Sequence, residues 1–209
     1  MANNFSSRKH GYGNFSHDNR GRSVPGAQRA PRDRARRTSA AELSVDPAAI
    51  DRLVTAAAPA ADGLVLVPAA GDGALVRALA AHGARVTVYE ADPAAAGRLA
   101  ARTRDEPGIG VVRADFTRAR TPREPFALVA LAPDPAAAAS LSAWCLRAPA
   151  ALSSATLLVP QEYAEGYADA YAREHGARHA QEPDRRPEFG VAVHPAGLPG
   201  RAILRLDRR

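Results

Sequence analysis

The sequence has one cysteine, one methionine and one tryptophan, and only 5% of its 209 residues are aromatic. A single thiol, Cys145, excludes an intrachain disulfide framework and a cysteine-rich zinc site; beside Trp144 and Leu146 it reads as a buried packing group. His175 and His179 are four residues apart but have no nearby carboxylate at ligand spacing, so no metal is expected. No apolar run approaches the length of a membrane span, and the polar N-terminus offers no signal-peptide stretch. These absences predict a cytoplasmic protein without membrane contact. Lysine is scarce as well: 27 of the 28 basic residues are arginine. Together with abundant alanine, that skew reads as codon bias of a high-G+C genome rather than a physical adaptation.

What is present is 46% apolar residues, enough for the core of one ordinary domain, and a net charge of +6 that is unevenly placed. Residues 1–40 hold nine Lys/Arg against two Asp/Glu, whereas the remaining 169 residues hold 19 against 20. The excess therefore sits in an N-terminal arm. Residues 1–40 are rich in Asn, Ser, Gly, Arg and Pro without hydrophobic periodicity, which predicts a disordered basic arm before a folded domain at 41–209. Within it Arg8, Lys9, Tyr12 and Phe15 mix cations with aromatics, and Arg36 and Arg37 add charge. Such residues contact phosphates and stack on unpaired bases. An RNA-binding arm and a solvated tail without a partner both fit.

Beyond the arm, Asp46-Pro47 is a helix start, aspartate as N-cap and proline at the first helical position. Apolar strands at 64–67, 84–89, 109–114, 126–131 and 155–159 then alternate with helical patterns at 73–82, 93–104, 135–147 and 161–174. Residues 191–194 and 202–206 read as a closing antiparallel pair. Strands separated by helices predict an α/β fold, a mostly parallel Rossmann-like sheet covered on both faces. Tyr163, Tyr167 and Tyr171 recur every four residues and predict one packed helical stripe.

Two features carry chemistry. Leu64-Val65-Leu66-Val67-Pro68 runs into Ala69-Ala70-Gly71-Asp72-Gly73, and Glu90 closes the next apolar run. A small-residue turn lets a ligand approach the backbone, and an acid ending the second strand can accept both hydroxyls of a ribose. A nicotinamide-binding fold uses these two positions equally well. It has no specific use for a third acid, Asp115, in Arg113-Ala114-Asp115-Phe116 after the third strand.

The longer pattern resembles a family. Val88-Tyr89-Glu90-Ala91-Asp92-Pro93, Val111-Val112-Arg113-Ala114-Asp115-Phe116, Trp144-Cys145-Leu146-Arg147-Ala148-Pro149-Ala150 and Ser154-Ala155-Thr156-Leu157-Leu158 occur in order. With Asp46-Pro47 at one end and Ile203-Leu204-Arg205-Leu206-Asp207 at the other, they are similar to the Erm-type 23S ribosomal RNA adenine-N6 methyltransferases. Those enzymes confer macrolide, lincosamide and streptogramin B resistance and are related to the ribosomal RNA dimethyladenosine transferases. The resemblance covers roughly residues 30–209. It implies a class I methyltransferase fold, S-adenosylmethionine as cofactor, 23S ribosomal RNA as partner and a monomer. It places the cofactor on Ala69, Gly71, Gly73, Glu90, Asp115 and Phe116, with Glu90 on the ribose and Asp115 on the adenine amino group.

The chain also departs from that family. In the family's first motif an acid precedes three alternating glycines; here Val67 stands for the acid and Ala69 for the first glycine. After strand four the family carries Asn-(Ile/Leu)-Pro-(Phe/Tyr), whose amide and a backbone carbonyl accept from the target amine while the aromatic stacks on the flipped base. Here Leu131 takes the asparagine place, Asp134 the aromatic place, and Pro133 remains, so that a backbone carbonyl stays available. The entry motif over the cofactor is replaced by Ala40-Ala41-Glu42-Leu43-Ser44, and Arg209 falls about where the family's helical RNA-binding domain starts. The resemblance thus implies an impaired methyltransferase or, alternatively, a catalytically lapsed relative that binds RNA or cofactor.

Overall fold

The computed structural model describes residues 46–181 and 188–209, without the side chains of residues 176–181. The predicted basic arm, and with it Arg8, Lys9, Tyr12, Phe15, Arg36 and Arg37, lies outside the described residues.

The chain order is α1 (Pro47–Ala57), β1 (Leu64–Pro68), α2 (Ala74–Ala81), β2 (Arg85–Tyr89), α3 (Pro93–Arg102), β3 (Ile109–Val112), a 3-10 turn (Phe116–Arg118), β4 (Phe126–Leu131), α4 (Pro135–Arg147), β5 (Leu152–Pro160), α5 (Gln161–Gln181), β6 (Phe189–Pro195) and β7 (Arg201–Arg208). Three helices start the same way, with an aspartate before a proline. Asp46 Oδ1 accepts from Ala48 N (3.0 Å), Asp92 Oδ1 from Ala94 N (2.7 Å) and Ala95 N (3.1 Å), and Asp134 Oδ1 from Ala137 N (2.8 Å). Each satisfies a donor that the first helical turn leaves unpaired.

The strands form one seven-stranded sheet in the order β3-β2-β1-β4-β5-β7-β6. The first five run parallel; β7 runs antiparallel to both β5 and β6. β1 lies at the centre of the five parallel strands, with all five of its residues buried. On one face Leu53 and Val54 of α1, Leu75, Val76 and Leu79 of α2 and Leu99 of α3 pack on Val65, Val67, Val88 and Val129. On the other, Leu66, Leu128, Leu157 and Leu204 meet Ala138 and Cys145 of α4 and Ala164 of α5. Both faces are covered, as a parallel sheet requires.

Boundaries moved where partners decide them. β5 begins at Leu152 rather than 155 because its ladder with β7 extends to Ser154↔Asp207 and its ladder with β4 to Phe126↔Leu152. β3 ends at Val112, where Ala114 N turns back onto the Val112 carbonyl (3.1 Å). α5 continues through His175, whose ring lies 4.0 Å from that of Tyr171, instead of ending at Glu174. No helix among the described residues is long and apolar enough to cross a membrane.

The tyrosine stripe forms as expected: Tyr163, Tyr167 and Tyr171 stack at 5.9 and 6.2 Å along α5 and pack on the core. The Tyr171 hydroxyl donates to the Phe189 carbonyl (3.0 Å), but the buried Tyr167 hydroxyl has no partner among the described residues, and burial pushes its pKa up. An orphaned buried hydroxyl costs about 1–3 kcal/mol. Tyr167→Phe is therefore expected to raise stability by about 1 kcal/mol, read as a higher midpoint in urea at unchanged slope. A fall of that size would mean the hydroxyl has a partner, such as a bound water. Cys145 is fully buried, as its neighbours suggested, and burial pushes its thiol up to about 12.

Candidate functional site at the carboxyl edge of the sheet

Registers bring the candidate residues to one edge. Pro68 pairs with Tyr89 and Tyr89 with Val112, so the turn after β1, Glu90 after β2 and Asp115 after β3 leave neighbouring strand ends together. Leu66 pairs with Leu128, which carries the segment after β4 to the same side. This is the edge where open α/β sheets bind ligands.

Around the first turn, Ala69 takes φ +52°, Gly71 +58° and Gly73 +87°. The left-handed region is strained for alanine, and Ala69 is held there by its N–H, which donates to the Tyr89 carbonyl (2.9 Å). At Gly73 the nearest occupant is internal. A Cβ there would lie 2.8 Å from Leu99 Cδ1 and 3.2 Å from Arg77 Nη1, so this glycine lets α2 and α3 pack. Asp72, which carried no role in the sequence, accepts from Ala74 N (3.0 Å), the first residue of α2, across the N-cap Gly73. Val67 is fully buried among apolar side chains.

Glu90 is one of few buried charged groups, 8% exposed. Its N–H donates to the Val112 carbonyl (3.0 Å), and its Oε1 accepts from Asp92 N (3.0 Å). The Asp92 contact fixes the carboxylate at the strand end and couples it to the cap of α3. The second oxygen makes no hydrogen bond among the described residues, which leaves an oriented acceptor at this edge. Asp115 caps the 3-10 turn: Oδ1 accepts from Thr117 N (2.9 Å) and Thr117 Oγ1 (2.7 Å), and Oδ2 lies 4.0 Å from Arg118 Nε. Phe116 sits in the core, edge-on to Tyr89 (5.5 Å) and 4.4 Å from the Trp144 ring.

After β4 the picture differs from the expectation. Leu131 offers no acceptor. Asp134 is committed to α4 through its cap, which explains its place in the motif by local helix chemistry. The Pro133 carbonyl, expected to stay available, already accepts one hydrogen bond: Arg201 Nη1 donates to the Pro133 oxygen (2.8 Å) and to the Ala132 oxygen (3.3 Å). Sequence reading missed Arg201 because 68 residues separate it from Pro133. The only signal was its position at the start of an antiparallel strand, opposite Pro160 at the same edge. Asp134→Ala is expected to cost about 1 kcal/mol, and Asp134→Ser to recover most of it, by denaturant unfolding. Equal stability of all three proteins would remove the capping role.

A groove of about 720 Å³ runs between the segment after β3 and α4, lined by Thr117, Thr121, Ser140, Trp144 and Arg147 among others. None of the sequence-predicted site residues lines it.

A parallel sheet with one antiparallel strand, a small-residue turn after β1 and an acid closing β2 define a Rossmann-like class I methyltransferase fold. A family profile described as ribosomal RNA adenine dimethylase matches residues 33–178, and the chain belongs to that family. It is 42% identical over 149 residues to an rRNA adenine N-6-methyltransferase of Aeromicrobium erythreum, covering 71% of this chain and 43% of that protein. It is 35% identical over 191 residues to an rRNA methyltransferase of Streptomyces thermotolerans, covering 88% and 63%. Among solved structures it is similar to the 23S rRNA methyltransferase ErmE at 33% identity and TM-score 0.66, covering 79% of this chain and 69% of that one. The chain thus spans roughly half the length of the curated relatives it matches.

Proposed function

We propose that the chain binds S-adenosylmethionine at the carboxyl edge of β1–β3 and belongs to the macrolide-lincosamide-streptogramin B resistance type of 23S rRNA adenine-N6 methyltransferases, with impaired catalysis. It acts in the cytoplasm as a monomer. The observation that carries the cofactor reading is Glu90, a buried carboxylate with one oxygen anchored on Asp92 N and the other open to a hydroxyl. Beside it Ala69 and Gly71 take left-handed backbone conformations, and Gly71 adds no side chain to the turn where the ligand's chain would lie. Glu90 would hold the ribose hydroxyls, Asp115 the adenine amino group, and Phe116 would set the depth of the adenine pocket by its packing. When bound, the cofactor supplies an activated methyl group on sulfur.

The acceptor side supports impairment. Adenine N6 is a poor nucleophile because its lone pair is delocalised into the ring, and hydrogen bonds from its N–H groups to acceptors localise that pair. Leu131 accepts nothing, and the Asp134 oxygen that is placed by the turn holds α4. The second reading, a lapsed catalyst that binds RNA or cofactor, draws on these same contacts. In either reading the basic arm, with Arg8, Lys9, Tyr12, Phe15, Arg36 and Arg37, attracts the RNA backbone and stacks on its bases.

Isothermal titration with S-adenosylmethionine, followed by transfer of its labelled methyl group to deproteinised 23S rRNA, tests both. Binding with label in adenine supports the enzyme. Binding without transfer supports the lapsed catalyst, and no binding at millimolar ligand rejects the cofactor site.

A further inference from the structure

An amine that takes up a methyl group becomes positively charged at nitrogen until a proton leaves. Its surroundings therefore favour the reaction when they offer acceptors to its N–H groups and disfavour it when they place a cation beside it. The turn after β4 fails both conditions through one residue. Arg201 Nη1 spans the Pro133 oxygen (2.8 Å) and the Ala132 oxygen (3.3 Å), the two carbonyls that follow Leu131 in the turn. The arginine is itself fixed. Its N–H donates to the Leu198 carbonyl (3.1 Å), and the preceding Gly200 carbonyl accepts from Gln161 N (2.9 Å) at the start of α5. No carboxylate neutralises the guanidinium among the described residues; both contacts are to neutral carbonyls, so the positive charge stays in the turn.

We propose that Arg201 sets acceptor specificity at this site. By donating to the Ala132 and Pro133 carbonyls it competes with an exocyclic amine for the turn's acceptors, and it fixes a cation where that amine would acquire charge. This inference rests on reading the segment after β4 as the acceptor position. It makes the loss of the amide at 131 only half of the impairment: restoring an asparagine there leaves the guanidinium in place.

Arg201→Met keeps the apolar stem and removes the charge and both donors. Binding of adenosine is measured by isothermal titration, with S-adenosylhomocysteine at saturation, beside N6,N6-dimethyladenosine, which has no N–H to donate. Adenosine affinity is expected to rise about tenfold in Arg201→Met, the scale of one or two new neutral hydrogen bonds, while the dimethylated probe is unchanged. A merely structural role for Arg201 would move both probes alike. An equal change in both, or no gain for adenosine, overturns the proposal. If the methionine variant does not fold, Arg201→Gln removes the charge and shortens the side chain while keeping it polar; a gain confined to adenosine is again expected, and its absence is again fatal.

Methyl transfer to 23S rRNA separates this proposal from the reading beneath it. A selective adenosine gain without transfer in any variant upholds Arg201 and rejects the rRNA substrate. Transfer by Leu131→Asn as fast as by Leu131→Asn/Arg201→Met overturns Arg201 and upholds the substrate. Transfer that needs both substitutions supports the two together.

Discussion

Val67→Asp is expected to destabilise the protein by about 3–5 kcal/mol at neutral pH, although it restores the acid found at this place in the Erm-type pattern. Val67 is fully buried at the end of the central strand, among side chains such as Val54, Val76, Val88 and Val129. Every one of these neighbours is apolar, so an aspartate there would be a carboxylate with no partner. For a chain of this length a loss of that size lowers the melting midpoint by roughly 10 °C. The sign of the pH dependence follows from burial, which raises the folded-state pKa of the new carboxyl above its unfolded value of about 3.9. Between those two pKa values the folded form binds more protons than the unfolded one, so stability falls as pH rises. The deficit against wild type is thus largest at pH 7 and shrinks towards pH 4. Urea unfolding of both proteins across that range checks it. A variant as stable as wild type at pH 7 would show that the end of β1 opens into a polar niche, and the case against the valine would fail.

Capping chemistry was legible because it is local. Asp46-Pro47 and Asp92-Pro93 announce helices by residues two or three apart, and the structure places both aspartates as caps. The same logic applies to Asp134-Pro135, yet the resemblance read Asp134 only as the residue standing in the family's aromatic place. The mostly parallel sheet followed from the alternation of strands and helices. Strand lengths did not, because β5 is extended by pairings to residues 26 and 53 positions away, Phe126↔Leu152 and Ser154↔Asp207. Within the site, Glu90 and Asp115 could be named from sequence since each closes a strand. Their hydrogen bonds to Asp92 and Thr117 are local too and could have been foreseen from the turn chemistry of carboxylates. Arg201 could not: a long side chain reaching over β5 from β7 leaves no periodicity or spacing to read.

Glu90→Ala is expected to weaken S-adenosylmethionine binding about 100-fold, and Glu90→Gln about tenfold. A carboxylate can accept both ribose hydroxyls, and each hydrogen bond to a charged group is worth about 1.5–3 kcal/mol, so losing both acceptors reaches or exceeds a hundredfold. The amide loses the charge and, with its oxygen on Asp92 N, offers the ribose oxygens a neutral NH2 donor in place of the carboxylate. The comparison also separates binding from folding, because Glu90 Oε1 accepts from Asp92 N and Asp92 caps α3. Alanine removes that anchor, and some loss of stability accompanies its loss of affinity. Glutamine can keep its carbonyl oxygen on Asp92 N, so its melting midpoint should stay near wild type while affinity falls. Titration calorimetry and thermal unfolding on the three proteins give both quantities. If glutamine and alanine bind the cofactor as tightly as wild type, Glu90 is a buried strand-end anchor for α3 and the ribose assignment is wrong. If affinity falls only in step with the melting midpoint, the carboxylate acts through the fold rather than on the ligand.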